Sequence, residues 1–585
     1  MFSRAFVLLC FALVSLTGGA SGQAPASSTD VTADAESRIA AALQVARRDL
    51  DAGAPEVALE LLDLFDEKYP ERPDLSFLRG EALSKLARWD DARAAYGRAE
   101  DDRRYALDAG LGRARAAAEL GEVREAAHAL DRAWIAGYRD LNAILASPSF
   151  QKISDDPIYI HLIERFELEL RPFGREIEVI RQIEGASAGE WYGAGLTVVG
   201  DVDGDAVRDF AVSAPEASKG EDTLGRVEVR SGRTGELLHE FWGERSGTRF
   251  GATLSAGGDL DRDGTPDLII AAPGSADAPG RVHAYSLASG TALFTATLDQ
   301  PGDSYGEALD VVGDLDGDGV VDLLVGAPLA PGAEGEEGAG VAVLLSGATQ
   351  TELARWTGSR GSALGASVAG HVTPAGWRLA IGSPGDRERA VRLVRSETES
   401  APVFLSADRA AVRFGGEGLH FVGDLNEDGW SDLAISDPEH PGRGRRGGQV
   451  TLVSGFDGAS LGHLLGGHGE GWGTGQGTAG DLDDDGIDDL VFGGWSSSRG
   501  STRGGALFLI SGRTLKPLVT MNGKIPGAAI GWDAVGLGDV NGDGNLDFVV
   551  TAPRANRRGP ETGRVLILSG PYYLFGSMDD SLLDD

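Results

Sequence analysis

With 585 residues and a formal charge of −37, the chain is too long for one ordinary domain and too acidic to attract a polyanion such as nucleic acid. Hydrophobic residues make up 42%, enough for a sizeable core, and 86 Gly against 20 Phe indicate many turns. The only cysteine, Cys10, lies in a segment expected to be removed, which excludes disulfides and cysteine-held metals from the mature chain.

Residues 1–22 read as a secretory signal: Arg4, an apolar run from Ala5 to Leu16, then small residues from Gly18 to Gly22. The run is too short to span a bilayer, and no later stretch could do so. An exported, soluble protein is expected, whether secreted, periplasmic or at the cell surface. Residues 23–35 are small and polar and are expected to form a disordered lead.

From residue 36 to 170 apolar residues recur at spacings of three and four, the pattern of amphipathic helices. Ala58, Ala92 and Ala126 lie 34 residues apart, as do Gly53, Ala87 and Gly121 before them, and Leu62, Tyr96 and Leu130 fill the next large apolar slot. This period resembles the tetratricopeptide repeat (TPR), a helix–turn–helix unit. The resemblance covers roughly residues 36–136 and implies a groove for a peptide or protein partner. The alternative is a spacer without a ligand. Arg171-Pro-Phe-Gly174 breaks the helical pattern, making 171–176 the linker.

Beyond it, short β-branched runs alternate with Gly, Pro and Asp, which signals an all-β repeat. One acidic loop recurs six times with ligand-type residues at positions 1, 3, 5 and 9. The sets are Asp201/Asp203/Asp205/Asp209, Asp259/Asp261/Asp263/Asp267 and Asp314/Asp316/Asp318/Asp322. They continue as Asp424/Asn426/Asp428/Asp432, Asp481/Asp483/Asp485/Asp489 and Asp539/Asn541/Asp543/Asp547. Ca²⁺ takes six to eight hard oxygens, and alternate side chains of a turning loop converge to supply them. An EF-hand would need a Glu at position 12; in the third loop that position is Val325, inside a strand-like run. Asn426 and Asn541 each remove a charge and need not remove a ligand.

First ligands are separated by 58, 55, 110, 57 and 58 residues, so a unit without the loop lies between 314 and 424. Leu364-Gly365 to Pro384 is that unit, with His371 to Trp377 where carboxylates would stand. The other units open on an aromatic- or apolar-Gly pair such as Phe250-Gly251. Most of them close on a small-small-Pro triplet, as at Pro273. These residues resemble the FG-GAP repeats of the integrin α-subunit head, over about 177–570. The resemblance implies a seven-bladed β-propeller, calcium in up to six blades and none in blade four, and partner binding on the face opposite the calcium loops. Departures are the empty fourth unit, Ala206 in place of Gly in the first loop, and the missing Pro of the sixth. The last unit lacks a fourth strand, and an orphan strand around 176–183 is expected to complete it and close the ring. Residues 571–585 form an acidic tail.

The expected fold is therefore a multidomain α plus all-β chain, TPR-like hairpins followed by a seven-bladed propeller closed by an N-terminal strand. No His-Glu-x-x-His pair, nucleophile elbow or phosphate loop is present. The expected function is a non-catalytic calcium-binding adhesion or scaffold module for protein or glycan. Two alternatives are a calcium-dependent polysaccharide lyase or hydrolase, and an envelope assembly factor acting through the helical half. Candidate partner-binding cations sit in the long loops of blades five to seven: Arg443, Arg445, Arg446, Arg499, Arg503, Arg554, Arg557 and Arg558.

Overall fold

The computed structural model describes residues 28–174, 177–396, 401–473, 475–556 and 559–570, with side chains from residue 35 onward. The expected signal and acidic tail lie outside them. The chain divides into two compact units, Met1–Glu169 and Leu170–Asp585.

Among the described residues the first unit holds nine helices: α1 (Ser28–Asp51), α2 (Pro55–Lys68), α3 (Pro73–Lys85), α4 (Trp89–Ala99), α5 (Ala106–Glu119), α6 (Val123–Ile135), α7 (Leu141–Ala146), α8 (Pro148–Gln151) and α9 (Pro157–Leu170). The expected disordered lead is corrected at its C-terminal end, because α1 already begins at Ser28.

The 34-residue period survives as geometry. Helices α2, α4 and α6 begin at 55, 89 and 123, and Ala58, Ala92 and Ala126 are all buried at helix crossings. Tyr96 on α4 lies between Gly80 and Gly112, where an added Cβ would come within 2.7 and 2.5 Å of its ring. The turns before these helices close alike. The N–H groups of Ala54, Arg88 and Glu122 reach back to Asp49, Leu83 and Ala117 O, and those of Gly53, Ala87 and Gly121 to Leu50, Ser84 and Ala118 O. This cap demands a left-handed residue, and Ala87 takes φ +55 where its equivalents are Gly at +73 and +74. Ala87→Gly is therefore expected to stabilise the helical unit by about 1 kcal/mol, read as a higher urea midpoint.

In the second unit seven four-stranded antiparallel sheets follow in chain order. Blade three is typical: Ala308–Gly313, Asp322–Ala327, Val341–Leu345 and Glu352–Thr357. The second strand of that blade is buried at every position and the fourth at none, as expected of sheets packed face to face around an axis. Val179–Glu184 pairs antiparallel with Arg564–Leu568, with Gln182 opposite Leu566 and Ile183 opposite Val565. The orphan strand thus completes blade seven and closes the ring. Tyr192 packs at this seam with Phe210 of blade one and Val565 of blade seven, and its hydroxyl donates to Glu228 at 2.8 Å.

The opening residue of each aromatic- or apolar-Gly pair sits where adjacent blades approach most closely. In six blades a glycine precedes the third strand (Gly225, Gly280, Gly340, Gly448, Gly505, Gly563), and an added Cβ there would lie 2.0–2.3 Å from backbone of the next blade's opening residue. Adjacent blades touch backbone to backbone at these points. Blade four has Ala390 at the equivalent place. Part of the expected linker belongs to the propeller unit: Phe173 is buried among Leu507, Met521 and Leu566, and Lys524 N–H donates to Pro172 O at 2.6 Å.

Candidate metal centres

Each acidic loop connects the first and second strands of its blade, which places all six on one face. The position-1 carboxylate organises the turn. Asp314 Oδ1 accepts from Gly317 and Asp318 N–H at 2.7 and 3.1 Å, and Oδ2 from Gly319 at 2.8 Å. Asp201, Asp259, Asp424, Asp481 and Asp539 cap their loops in the same way. Position 9 is the first residue of the second strand or its immediate neighbour, and there Asp209, Asp267, Asp322, Asp432, Asp489 and Asp547 are buried. Their Oδ2 atoms accept the position-2 N–H at 2.6–2.8 Å.

Carboxylate oxygens converge to within 4.8 Å of one another at Asp201/Asp203/Asp209, Asp259/Asp261/Asp263, Asp314/Asp316/Asp322 and Asp481/Asp483/Asp489. The first of these groups forms despite Ala206, which takes φ +69 in place of the usual Gly. In blades five and seven the Asn at position 3 donates its amide to the position-5 carboxylate, Asn426 to Asp428 and Asn541 to Asp543, each at 2.9 Å. Two position-5 carboxylates also face a cation of their own blade: Asp205 meets Arg233 at 3.0 Å and Asp485 meets Arg513 at 3.2 Å.

The donor set fits a hard divalent cation. Burial, partly offset by backbone N–H donors, raises all six position-9 carboxyls above the usual range. Asp267 and Asp489 are pushed up to about 6 and Asp432 to about 7, with neighbouring loop carboxylates adding to the rise. Asp267 Oδ1 and Asp483 Oδ1 are buried without a hydrogen-bond partner. Buried acceptors crowded by like charge are what a bound cation relieves.

A Ser-Gly pair after the third strand, unassigned by sequence, completes five of the six centres. The N–H groups of Gly232, Gly347, Gly455, Gly512 and Gly570 donate to the other oxygen of the position-9 carboxylate at 2.9–3.2 Å. The serine hydroxyl beside it donates to the position-5 carboxylate in blades five and seven, Ser454 to Asp428 and Ser569 to Asp543. In blade two the pair is Ser286-Leu287, and there the position-9 oxygen is left orphaned. The recurrence of Ser-Gly, with its Gly 23 to 25 residues after position 9, was the available signal.

Blade four carries a cation of its own. Six residues before Pro384, where five blades have the position-9 Asp, stands Arg378, only 1% exposed. Its guanidinium lies 3.4 Å from the ring centroid of Trp430 in blade five, and Nε donates to Gly455 O at 3.2 Å.

The FG-GAP repeat family model matches residues 250–285, 305–345 and 531–568, which span three of the four strands in each of blades two, three and seven. Three blades of the propeller thus contain FG-GAP repeats. The chain is similar to integrin alpha-5 of Xenopus laevis, at 35% identity over 153 residues, and to integrin alpha-4 of the same organism, at 32% over 171. It is also similar to integrin alpha-PS2 of Drosophila melanogaster, at 32% over 195 residues. These matches span 24%, 27% and 31% of this chain but only 14%, 16% and 13% of the integrins. Among solved structures, one titled "Structure of Dos1 propeller" aligns at 12% identity and a TM-score of 0.38, over 68% of this chain and 96% of that one.

On the opposite face of the FG-GAP propeller the candidate cations separate into kinds. Arg499 pairs with Glu470, which also accepts from Trp472 Nε1, so Arg499 is committed internally. Arg443, Arg445, Arg446 and Arg503 have no ion pair among the described residues. Arg554 is enclosed by tryptophans, and Arg557 and Arg558 lie outside the described residues.

Proposed function

We propose that the chain is an exported, calcium-loaded FG-GAP propeller that acts as a non-catalytic binding module for a protein partner. Calcium occupies the six acidic hairpins and fixes the corners of the blades. The partner docks on the opposite face, and the helical unit offers a second protein-binding surface. The observation that carries this reading is the division of labour between faces. Carboxylates on one face are absorbed in loop-building contacts, whereas Arg443, Arg445, Arg446 and Arg503 on the other have no ion pair among the described residues. Unpaired cations on an acidic protein steer an acidic patch of a partner. Among the described residues no helix is long and apolar enough to cross a membrane.

Charge reversal of Arg443, Arg445 and Arg446 to Glu is expected to weaken partner capture at least tenfold at low salt, with an unchanged urea midpoint. Capture from native extract, quantified by mass spectrometry against the parent protein, measures it. Capture that survives the triple reversal would remove this face from the account.

A further inference from the structure

We infer that Arg554, boxed by Trp191, Trp495 and Trp532, is a receptor for the carboxylate of an acidic side chain on a protein partner. The inference rests on the reading of this face as the partner-binding one.

The box is assembled from far-apart sequence. Trp191 precedes the opening Tyr-Gly of blade one, Trp495 stands where blade six lacks its Pro, Trp532 follows the opening Ile-Gly of blade seven, and Arg554 follows that blade's Pro553. The guanidinium carbon lies 4.8 Å from the Trp495 ring centroid, 5.4 Å from Trp191 and 5.5 Å from Trp532. Trp532 in turn meets Trp191 edge-on at 6.1 Å and Trp495 at 5.4 Å. All four side chains are half-buried.

The box satisfies the faces of the guanidinium and leaves its edge unmet. Arginine presents five N–H donors in its plane, and ring contacts satisfy none of them. Arg554 makes no hydrogen bond or ion pair with the described residues, and its Nε is buried without an acceptor. The carboxylate shown at the box, Glu561, accepts from Trp191 Nε1 at 3.0 Å and forms no ion pair with Arg554. A guanidinium held by rings, with its Nε buried and no carboxylate partner among the described residues, matches a planar carboxylate, which it binds bidentately.

The same geometry selects the occupant. Because Arg554 sits over the indoles, they are not a bare platform on which a sugar ring could stack, and a small carboxylate on a flexible side chain fits the remaining edge. Tryptophan and arginine are also the residues that most often dominate protein–protein binding energy. Two loops whose cations form no ion pair among the described residues adjoin the box: Arg446 O accepts from Gly471 N–H, and Arg503 O from Ala529 N–H, three residues before Trp532.

The test uses the full chain with ¹⁵N-labelled indoles, assigned through Trp191→Phe, Trp495→Phe and Trp532→Phe. The probes are a blocked Gly-Ser-Asp-Asp-Ser-Gly peptide, its Asn-Asn counterpart and tetragalacturonate. The acidic peptide is expected to shift the Trp495 and Trp532 indole signals and the amide peptide to leave them. Arg554→Met should weaken the response at least tenfold, Arg554→Lys should weaken it less, and 0.5 M salt should reduce it in the parent. Silence to every probe, or an equal response in R554M and parent, overturns the inference. A response to tetragalacturonate with the peptide silent overturns the protein side chain as occupant. Should R554M fail to fold, an unchanged peptide response in R554K together with insensitivity to salt overturns it equally. If the box is silent while reversal of Arg443, Arg445 and Arg446 abolishes capture, the face reading stands and this one falls.

Discussion

Removing calcium is expected to destabilise the propeller by about 1.5–3 kcal/mol for each loop it occupied. That is the linkage term when the free ion stands at roughly ten to a hundred times a dissociation constant of 10⁻⁴–10⁻³ M. Over six loops the sum is on the order of 10 kcal/mol, comparable with the whole stability of an ordinary domain. The cause is local. Each loop holds a buried position-9 carboxyl whose ionised form is disfavoured by burial and by its neighbours, and Asp267 and Asp483 each keep an orphaned oxygen. Without the ion these groups repel one another or take up protons, and the hairpins loosen. Urea unfolding with and without chelator measures the effect, and hydrogen exchange localises it. Exchange should speed up in hairpins such as Val312–Leu323 and stay unchanged in the blade-four hairpin, Val368–Gly382. Equal midpoints in both solutions would contradict the calcium reading.

The second large effect belongs to blade four. Arg378→Ala is expected to cost about 3–5 kcal/mol, by loss of a desolvated cation–π contact, hydrogen bonds to Gly455 and Trp377 carbonyls, and the volume of a buried side chain. Arg378→Met, which keeps most of the volume, is expected to lose about 2–3 kcal/mol by the first two causes. The loss should be the same in calcium and in chelator, because the guanidinium bridges blades four and five with a covalently held cation. A loss of less than about 1 kcal/mol, the scale of an ordinary surface change, would show that Arg378 is not the cross-link.

Blade count, closure and acidic loops were legible because their signals are short and repeated. Position 1, position 9 and the opening Gly each answer a local need for a cap, a ligand or a close approach. Closure followed from counting strands, and Val179–Glu184 fills the place that counting left. Other features needed the third dimension. Arg378 occupies the register of a missing Asp, six residues before Pro384, but its purpose is visible only with Trp430 stacked upon it. Trp191 and Arg554 stand 363 residues apart, and only ring closure brings them together. Arg499 read as a free loop cation because nothing local betrays Glu470, 29 residues earlier. The Ser-Gly pairs were short and periodic, yet they sit in turns whose composition is ordinary for any hairpin.

Calcium counting tests the central claim most directly. The chain, stripped with chelator, dialysed to equilibrium against saturating calcium and analysed for bound metal, should be folded and hold six ions. The variant carrying Asp314→Ala, Asp316→Ala and Asp318→Ala, which spares the buried Asp322, should hold five. A folded parent chain that retains no calcium, or a variant that retains as much as the parent, would contradict the account.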